Sequence, residues 1–307
     1  MEGWNGTTAY VFTLMGVTSL FWLEKLLFVL VLFFYILDVL GNIAIMFLVF
    51  RDVSLHSPMY ILLANLSFVD VCFSTVTVPK MLVGFWTENT ISLEGCVAQM
   101  YFFHFLGCTE GVLLASMGYD RFVAICHPLR YHTLMKKMVC FQFVLVAWVI
   151  GLSTSLVHAI MTSQLPFCSS TKIKHFFCDV KPVIKLACVD THLNEAVLTN
   201  VLGFLSTSTF LLTILSYVYI IHNLIKIRSS QGRAKAFSTC SSHLTIVMLF
   251  YGTAMCTYLG PSTEDSIEKD RIAALLFTVI TPAMNPVIYT FRNKDVKKSL
   301  KKFFISI

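Results

Sequence analysis

Charge is what this sequence has least of. Asp, Glu, Lys and Arg make up 13% of its 307 residues, whereas a soluble protein of this length usually carries about 25%. Hydrophobic residues reach 56% and the mean hydropathy is +0.75. The few charges are clustered, and most of the runs between them are apolar on every face rather than on one. This pattern excludes an ordinary soluble enzyme and indicates a membrane protein.

The sequence also lacks the motifs of several functional classes. It contains no HExxH, no GxSxG and no pair of acids in a recognised catalytic context, so we expect no enzyme and no cofactor. We find no inverted repeat of the kind that transporters often show. Only Pro282 and Pro286 hint at a broken helix. A transporter or channel remains the alternative to a receptor, because it would also explain acidic residues inside the predicted spans.

Seven segments are long enough to cross a bilayer, which takes about 20 apolar residues. All connecting loops are short except the one between the fourth and fifth segments. The predicted spans are 26–50, 58–82, 96–120, 139–161, 195–225, 238–260 and 272–291. The chain is thus predicted to be one helical membrane domain, 1–307.

The distribution of basic residues predicts the orientation of the spans. One set of loops, together with the C-terminal tail, holds 15 of the 23 Lys and Arg residues, and basic loops face the cytoplasm. Residues 1–25 are therefore expected outside, 26–291 in the bundle and 292–307 in the cytoplasm. A glycosylation sequon at Asn5 agrees with an outer N-terminus. No cleavable signal peptide precedes Glu24, so the first span is expected to act as an uncleaved signal anchor.

Four of the ten cysteines fall on the predicted outer side. An even number of cysteines in an oxidising compartment predicts two disulfides, with three connectivities open. These four are Cys96, Cys168, Cys178 and Cys188. The segment His175–Asp179 also contains metal-ligand residue types, but a disulfide at Cys178 removes its thiolate, so we favour a structural role and predict no metal.

Three carboxyl groups lie at similar depths inside the predicted spans. A helix rises about 1.5 Å per residue, which places Asp38, Asp70 and Glu110 roughly 16–20 Å from the inner boundary. No Lys or Arg lies at that level. Acids inside a membrane are candidates for a functional site, and the alternative is a set of protonated carboxyls that hold helices together. Asp38 shares a helical face with Asn42.

Two features of the third span have a plain and a functional interpretation. Arg121 ends the span on the inner side, where most arginines only anchor a helix. His104 shares a helical face with Gly107, Cys108 and Gly111. Such small residues leave room either for a ligand or for close helix packing.

Several stretches occur in an order that identifies a family. They are GN at 41–42, LHSPMYILLANLSFVDVC at 55–72, MGYDRFVAICHPLRY at 117–131, SY at 216–217, KAFSTCSSHL at 235–244 and PAMNPVIYTFRNKDV at 282–296. Together they resemble the rhodopsin-like G-protein-coupled receptors and, within them, the odorant receptors. The resemblance implies a seven-transmembrane helix bundle with a short amphipathic C-terminal helix, in the plasma membrane.

The resemblance also implies the activity and its partners. A small, mostly apolar volatile ligand would bind within the bundle and activate a stimulatory, olfactory-type heterotrimeric G protein, raising cyclic AMP. Membrane lipid is the other expected partner, and nucleic acid is not expected. In the tail, an apolar stripe opposite five lysines predicts a helix on the anionic inner leaflet. No cysteine follows Cys256, so a palmitoyl anchor is not expected.

Individual roles follow by position in the family. Asp120 and Arg121 resemble the switch pair, and Tyr217 and Tyr289 the tyrosines that reorganise around it. Cys96 would pair with Cys178, and Cys168 with Cys188. The polar cluster, a possible sodium or proton site, would comprise Asn42, Asp70, Glu110 and Asn285, with Asp38 as an addition unusual for the family. The ligand pocket would comprise Phe103, His104, Gly107, Cys108, Val201, Leu202, Ser206, Tyr251, Met255, Tyr258 and Thr278.

Overall fold

The computed structural model describes residues 11–18, 21–168, 171–226, 230–259 and 267–305, with the side chains of most of them. Asn5 lies outside these residues. The chain forms a bundle of seven membrane-crossing segments followed by a short C-terminal helix, as predicted. Among the described residues, six stretches are long and apolar enough to cross a membrane: Trp22–Arg51, Pro58–Gly84, Leu93–Cys126, Lys137–Ser163, His192–Lys226 and Lys269–Thr290.

The membrane-crossing helices extend beyond most of the predicted spans, and shorter helices lie between them. They are α1 Phe21–Arg51, α2 Pro58–Gly84, α3 Leu93–Cys126, α4 Tyr131–Leu134, α5 Lys137–Ser163, α6 Val180–Ile184, α7 His192–Lys226, α8 Ser230–Leu259, α9 Ile267–Leu275, α10 Thr281–Arg292 and α11 Lys294–Ile305. A π-helical turn, Leu276–Ile280, joins α9 to α10. The predicted sixth span, 238–260, falls almost wholly within α8.

Local sequence explains where two helices begin. Proline has a fixed φ and no N–H, both of which suit the first helical position, and α2 begins at Pro58. Ser92 precedes α3, and its side chain accepts a hydrogen bond from the N–H of Gly95, 3.1 Å away.

Packing between helices explains the glycine at position 41, since a Cβ atom there would collide with the side chain of Pro286. The glycine thus lets α1 approach α10 closely.

The third helix lies at the centre of the bundle. It packs against α2, α5, α7 and α8, and most residues of its apolar stretch are buried. By contrast, most of α1 faces outward, with side chains such as Leu40 and Phe50 exposed. Residues on α3 are therefore best placed to connect a pocket with the inner face.

A small sheet covers the end of the bundle that the charge distribution predicts to face outward, which is called the outer end below and its opposite the inner end. The strands β1 Val11–Leu14, β2 Thr90–Ser92 and β3 Lys172–Ile173 lie in the order β2-β1-β3, with β1 antiparallel to β2 and parallel to β3. Arg271 of α9 donates to the backbone oxygens of Gly16 and Lys174, each 3.2 Å away. These contacts join three parts of the chain: α9, the N-terminal segment, and the long loop that precedes α7.

The C-terminal helix packs against the inner end of the bundle. Val296 is buried, Leu300 and Phe303 pack on the core, and the rings of Phe47 and Phe303 lie 5.4 Å apart. Lys297, Lys298, Lys301 and Lys302 lie on the same helix. The predicted amphipathic helix is therefore present, with its apolar stripe turned to the protein.

Candidate ligand-binding site

A cavity of about 150 Å³ lies between α3, α7 and α8, in the outer half of the bundle. Phe103, Gly107 and Gly111 line it from α3, and Phe250 and Tyr251 from α8. Tyr251 donates a hydrogen bond to the backbone oxygen of Gly111, 3.2 Å away, which joins α8 to α3 at the floor of the cavity. Most of the lining is apolar, as expected for a site that binds a small apolar molecule.

The long outer loop forms the roof of this cavity. A disulfide joins Cys178 to Cys96 at the start of α3, and the N–H of Cys178 donates to Oε1 of Gln99 at 2.9 Å. A second disulfide, between Cys168 and Cys188, closes the loop on itself. These are the two pairings that the resemblance implies. With its sulfur in a disulfide, Cys178 has no thiolate for a metal.

A buried contact between a histidine and an aspartate fixes the roof to α3. Nε2 of His104 lies 3.1 Å from Oδ1 of Asp179, and the same carboxylate accepts from the N–H of Val180 at the start of α6. Burial raises the pKa of Asp179, but the hydrogen bond and charge of His104, together with His175, outweigh it and hold the pKa below its usual value. Burial lowers the pKa of His175 to about 4. Among the described residues, no group of three His, Cys, Asp or Glu could hold a metal ion.

Below the cavity lies a polar cluster whose five members are all buried. Nδ2 of Asn42 donates to Asp38 at 2.7 Å, Oγ of Ser74 donates to the other oxygen of Asp38 at 2.5 Å, and Nδ2 of Asn285 donates to Asp70 at 2.9 Å. Asp70 interacts electrostatically with both Asp38 and Glu110. Both carboxyl oxygens of Glu110 lack a hydrogen-bond partner among the described residues.

At the inner end of α3, the side chains of Asp120 and Arg121 form an ion pair. Nη2 of Arg121 lies 2.5 Å from Oδ2 of Asp120, and Nε lies 3.1 Å from it. Tyr131 donates to the other oxygen of Asp120 at 2.8 Å, and Asp120 is fully buried. The hydroxyl of Tyr217 forms a hydrogen bond with Nδ1 of His243 at 2.8 Å. It also donates to the backbone oxygen of Cys240 at 3.2 Å.

Comparison with known proteins identifies the family. The family model described as Olfactory receptor matches residues 31–306. The chain is 48% identical to human Olfactory receptor 12D1, covering 97% of this chain and 94% of that protein. It is also 48% identical to human Olfactory receptor 12D2, covering 96% of this chain and 97% of that protein. Its identity to mouse Olfactory receptor 1M1 is 46%, covering 98% of this chain and 97% of that protein.

The chain belongs to the olfactory receptor family. It is therefore a multi-pass membrane protein and a G-protein-coupled receptor of odorants, not an enzyme. The receptor interpretation of the sequence is confirmed, and the transporter or channel alternative is not favoured.

The structure brings together most of the pocket residues assigned to this olfactory receptor by position. Those that line the cavity are Phe103, His104, Gly107, Cys108, Leu202, Ser206, Tyr251 and Met255. Two others do not line it: Val201 is 37% exposed on α7, and Thr278 is buried with its hydroxyl donating to the oxygen of Ala274. The side chain of Tyr258 lies outside the described residues.

Other residues of the receptor's sites had no individual assignment from the sequence. Lys181 enters the cavity lining from α6, which no periodicity predicts. His243 bonds to Tyr217 and lies 3.1 Å from the backbone oxygen of Leu114, so it links α7, α8 and α3. A signal for His243 was present, because it lies within KAFSTCSSHL at 235–244.

Proposed function

We propose that this receptor binds a small, mostly apolar odorant in the cavity between α3, α7 and α8. The cavity itself is the observation that carries the proposal. It is mostly apolar, it lies beneath a loop fastened by the Cys96–Cys178 disulfide, and Ser206, Tyr251 and His104 add a few polar groups. This combination suits a weakly polar molecule that must be held in one orientation.

The proposed partner is a stimulatory, olfactory-type heterotrimeric G protein, and the proposed consequence is a rise in cyclic AMP. The Asp120–Arg121 pair is the proposed switch. In the structure Arg121 is held by Asp120, so its release would free a cation for the G protein. Tyr217 and Tyr289 lie near enough to Arg121 to interact with it electrostatically.

The buried polar cluster is proposed to hold a sodium ion or protons. Five oxygens of its members lack a hydrogen-bond partner among the described residues: Oδ1 of Asn42, Asp70 and Asn285, and both carboxyl oxygens of Glu110. Buried acceptors without donors are costly. A cation or bound protons would satisfy several of them at once.

The test of the function compares two glycines that both face open space. A Cβ atom at either Gly203 or Gly252 would meet no atom within 4 Å, but only Gly203 lines the cavity. Gly203→Leu should fill part of the cavity and lower the response to agonists, whereas Gly252→Leu should leave it unchanged. The readout is odorant-dependent cyclic AMP in cells that co-express the olfactory-type G protein.

Surface expression of both variants must be matched by antibody labelling. Equal odorant responses of the two leucine variants would contradict the pocket. A ligand-dependent ion current without a G protein would instead favour a channel.

A further inference from the structure

A lysine contributes to a cavity whose lining is otherwise mostly apolar. Lys181 lies on α6, within the outer loop and two residues after Asp179. The rest of the lining includes the apolar side chains of Phe103, Phe277 and Leu202. An ammonium group at one end of an apolar cavity is a strong directional feature, because it has three N–H donors and no acceptor.

The charges around Lys181 decide which ligands it can accept. It interacts electrostatically with Asp179 next to it, Asp270 on α9, Glu195 on α7 and the like charge of Lys185. Burial lowers the pKa of the Lys181 amine, and the three acids oppose that effect. A carboxylate ligand beside Lys181 would add a further negative charge to this group of acids, so anionic odorants are disfavoured.

A neutral oxygen acceptor does not meet this repulsion. Since the ammonium offers several donors, Lys181 can keep its protein contacts and still donate one hydrogen bond to a ligand. A carbonyl oxygen only accepts, and so it needs no further partner. An alcohol oxygen could accept the same bond, but its hydroxyl hydrogen would have to reach an acceptor at the same time, a second geometric requirement that a carbonyl does not have.

We propose that Lys181 donates a hydrogen bond to the carbonyl oxygen of the odorant, and that this receptor selects neutral aldehydes and ketones with an apolar chain. The carbonyl lies at the outer, α6 end of the cavity, and the chain extends toward Phe103 and Phe277. This inference rests on the proposed pocket and adds its ligand class.

The chain supplies a matched control for the test. Lys185 lies one helical turn from Lys181 but is exposed and does not line the cavity. Lys181→Met keeps the length of the side chain and removes its donors, and Lys185→Met makes the same chemical change outside the cavity. The probes are saturated aldehydes, ketones, alcohols, carboxylic acids and alkanes of equal carbon number, assayed by cyclic AMP at matched surface expression.

The expected result has two parts. Aldehydes and ketones are the most potent agonists of the unsubstituted receptor, and Lys181→Met raises their half-maximal concentrations by about 10- to 100-fold, as a lost charge-assisted hydrogen bond would. Lys185→Met changes them by less than about twofold, a change worth less than half of one such bond.

Several results would overturn the proposal. These are a panel without a carbonyl agonist, a preference for carboxylic acids, or an equal effect of Lys181→Met on all compound classes. If the proposed pocket itself were wrong, the Gly203→Leu variant would also respond like the unsubstituted receptor. If only the ligand class were wrong, Gly203→Leu would still lower the response.

Discussion

Asp120 shows how much a single residue can depend on its neighbours. Its carboxylate is fully buried, and its three hydrogen bonds come from Arg121 and Tyr131. A buried charge without a partner is strongly destabilising. Any substitution of Arg121 therefore removes a proposed signalling group and also a counter-ion, and a test must separate the two effects.

Arg121→Ala is expected to abolish the cyclic AMP response. The double variant Asp120→Asn with Arg121→Ala removes the unpaired charge, so it should fold at least as well and remain silent. Surface labelling and odorant binding check that both variants are folded, and Arg51→Ala, at the exposed inner end of α1, serves as the control. Full coupling by either Arg121 variant would reduce the arginine to a helix anchor.

Asp38→Asn tests whether Asp38 belongs to the functional cluster. The Asp38 carboxyl accepts from Asn42 and Ser74, and it interacts electrostatically with Glu110. We expect the neutral amide to change basal cyclic AMP signalling and its dependence on sodium concentration. A further variant, Asp38→Ala, should lower the free energy of unfolding by about 1–3 kcal/mol, because it leaves buried donors without a partner. Unchanged expression, basal signalling and sodium dependence in Asp38→Asn would exclude the hypothesis.

At the scale of elements, the outer loop is held mainly by cross-links and by a strand from elsewhere in the chain. The loop contributes β3 to the sheet, and β1 of the N-terminal segment pairs with it. Cys178 packs with Phe12 and Phe167 in a small apolar cluster. The roof of the cavity thus depends on residues far apart in sequence.

The two disulfides should not be equally important. Cys96–Cys178 spans 82 residues and Cys168–Cys188 spans 20. By loop-closure entropy alone, losing the longer link should cost about 1 kcal/mol more. Paired Cys→Ser variants of each bridge, compared by thermal unfolding of the purified receptor and by surface expression, measure the difference. A larger loss for the Cys168–Cys188 pair would contradict this order.

At the scale of the whole molecule, the charge distribution predicts an outer N-terminus and a cytoplasmic tail. The folded arrangement is consistent with that orientation, since both disulfides lie at the end of the bundle opposite the Lys-rich helix α11. Disulfides form in the oxidising compartment, and basic segments remain in the cytoplasm.

An epitope at the N-terminus should therefore be labelled on intact cells, and one at the C-terminus only after permeabilisation. Asn5→Gln should remove a glycan and increase the gel mobility of the receptor. Labelling of the C-terminal epitope on intact cells would reverse the topology.

The sequence by itself determined the membrane class, the seven spans and the family, because the length of an apolar run and the order of short motifs are local properties. It also placed Asp38 and Asn42 on one helical face, since they are one turn apart, but it did not predict the contact of Ser74 with Asp38. Only the tertiary structure decided which side chains reach the cavity. Val201 turns outward and Thr278 bonds within its own helix, because the direction of each helix face is set by its neighbours. Lys181 enters the cavity because the Cys96–Cys178 disulfide and the buried His104–Asp179 contact hold a distant loop over it.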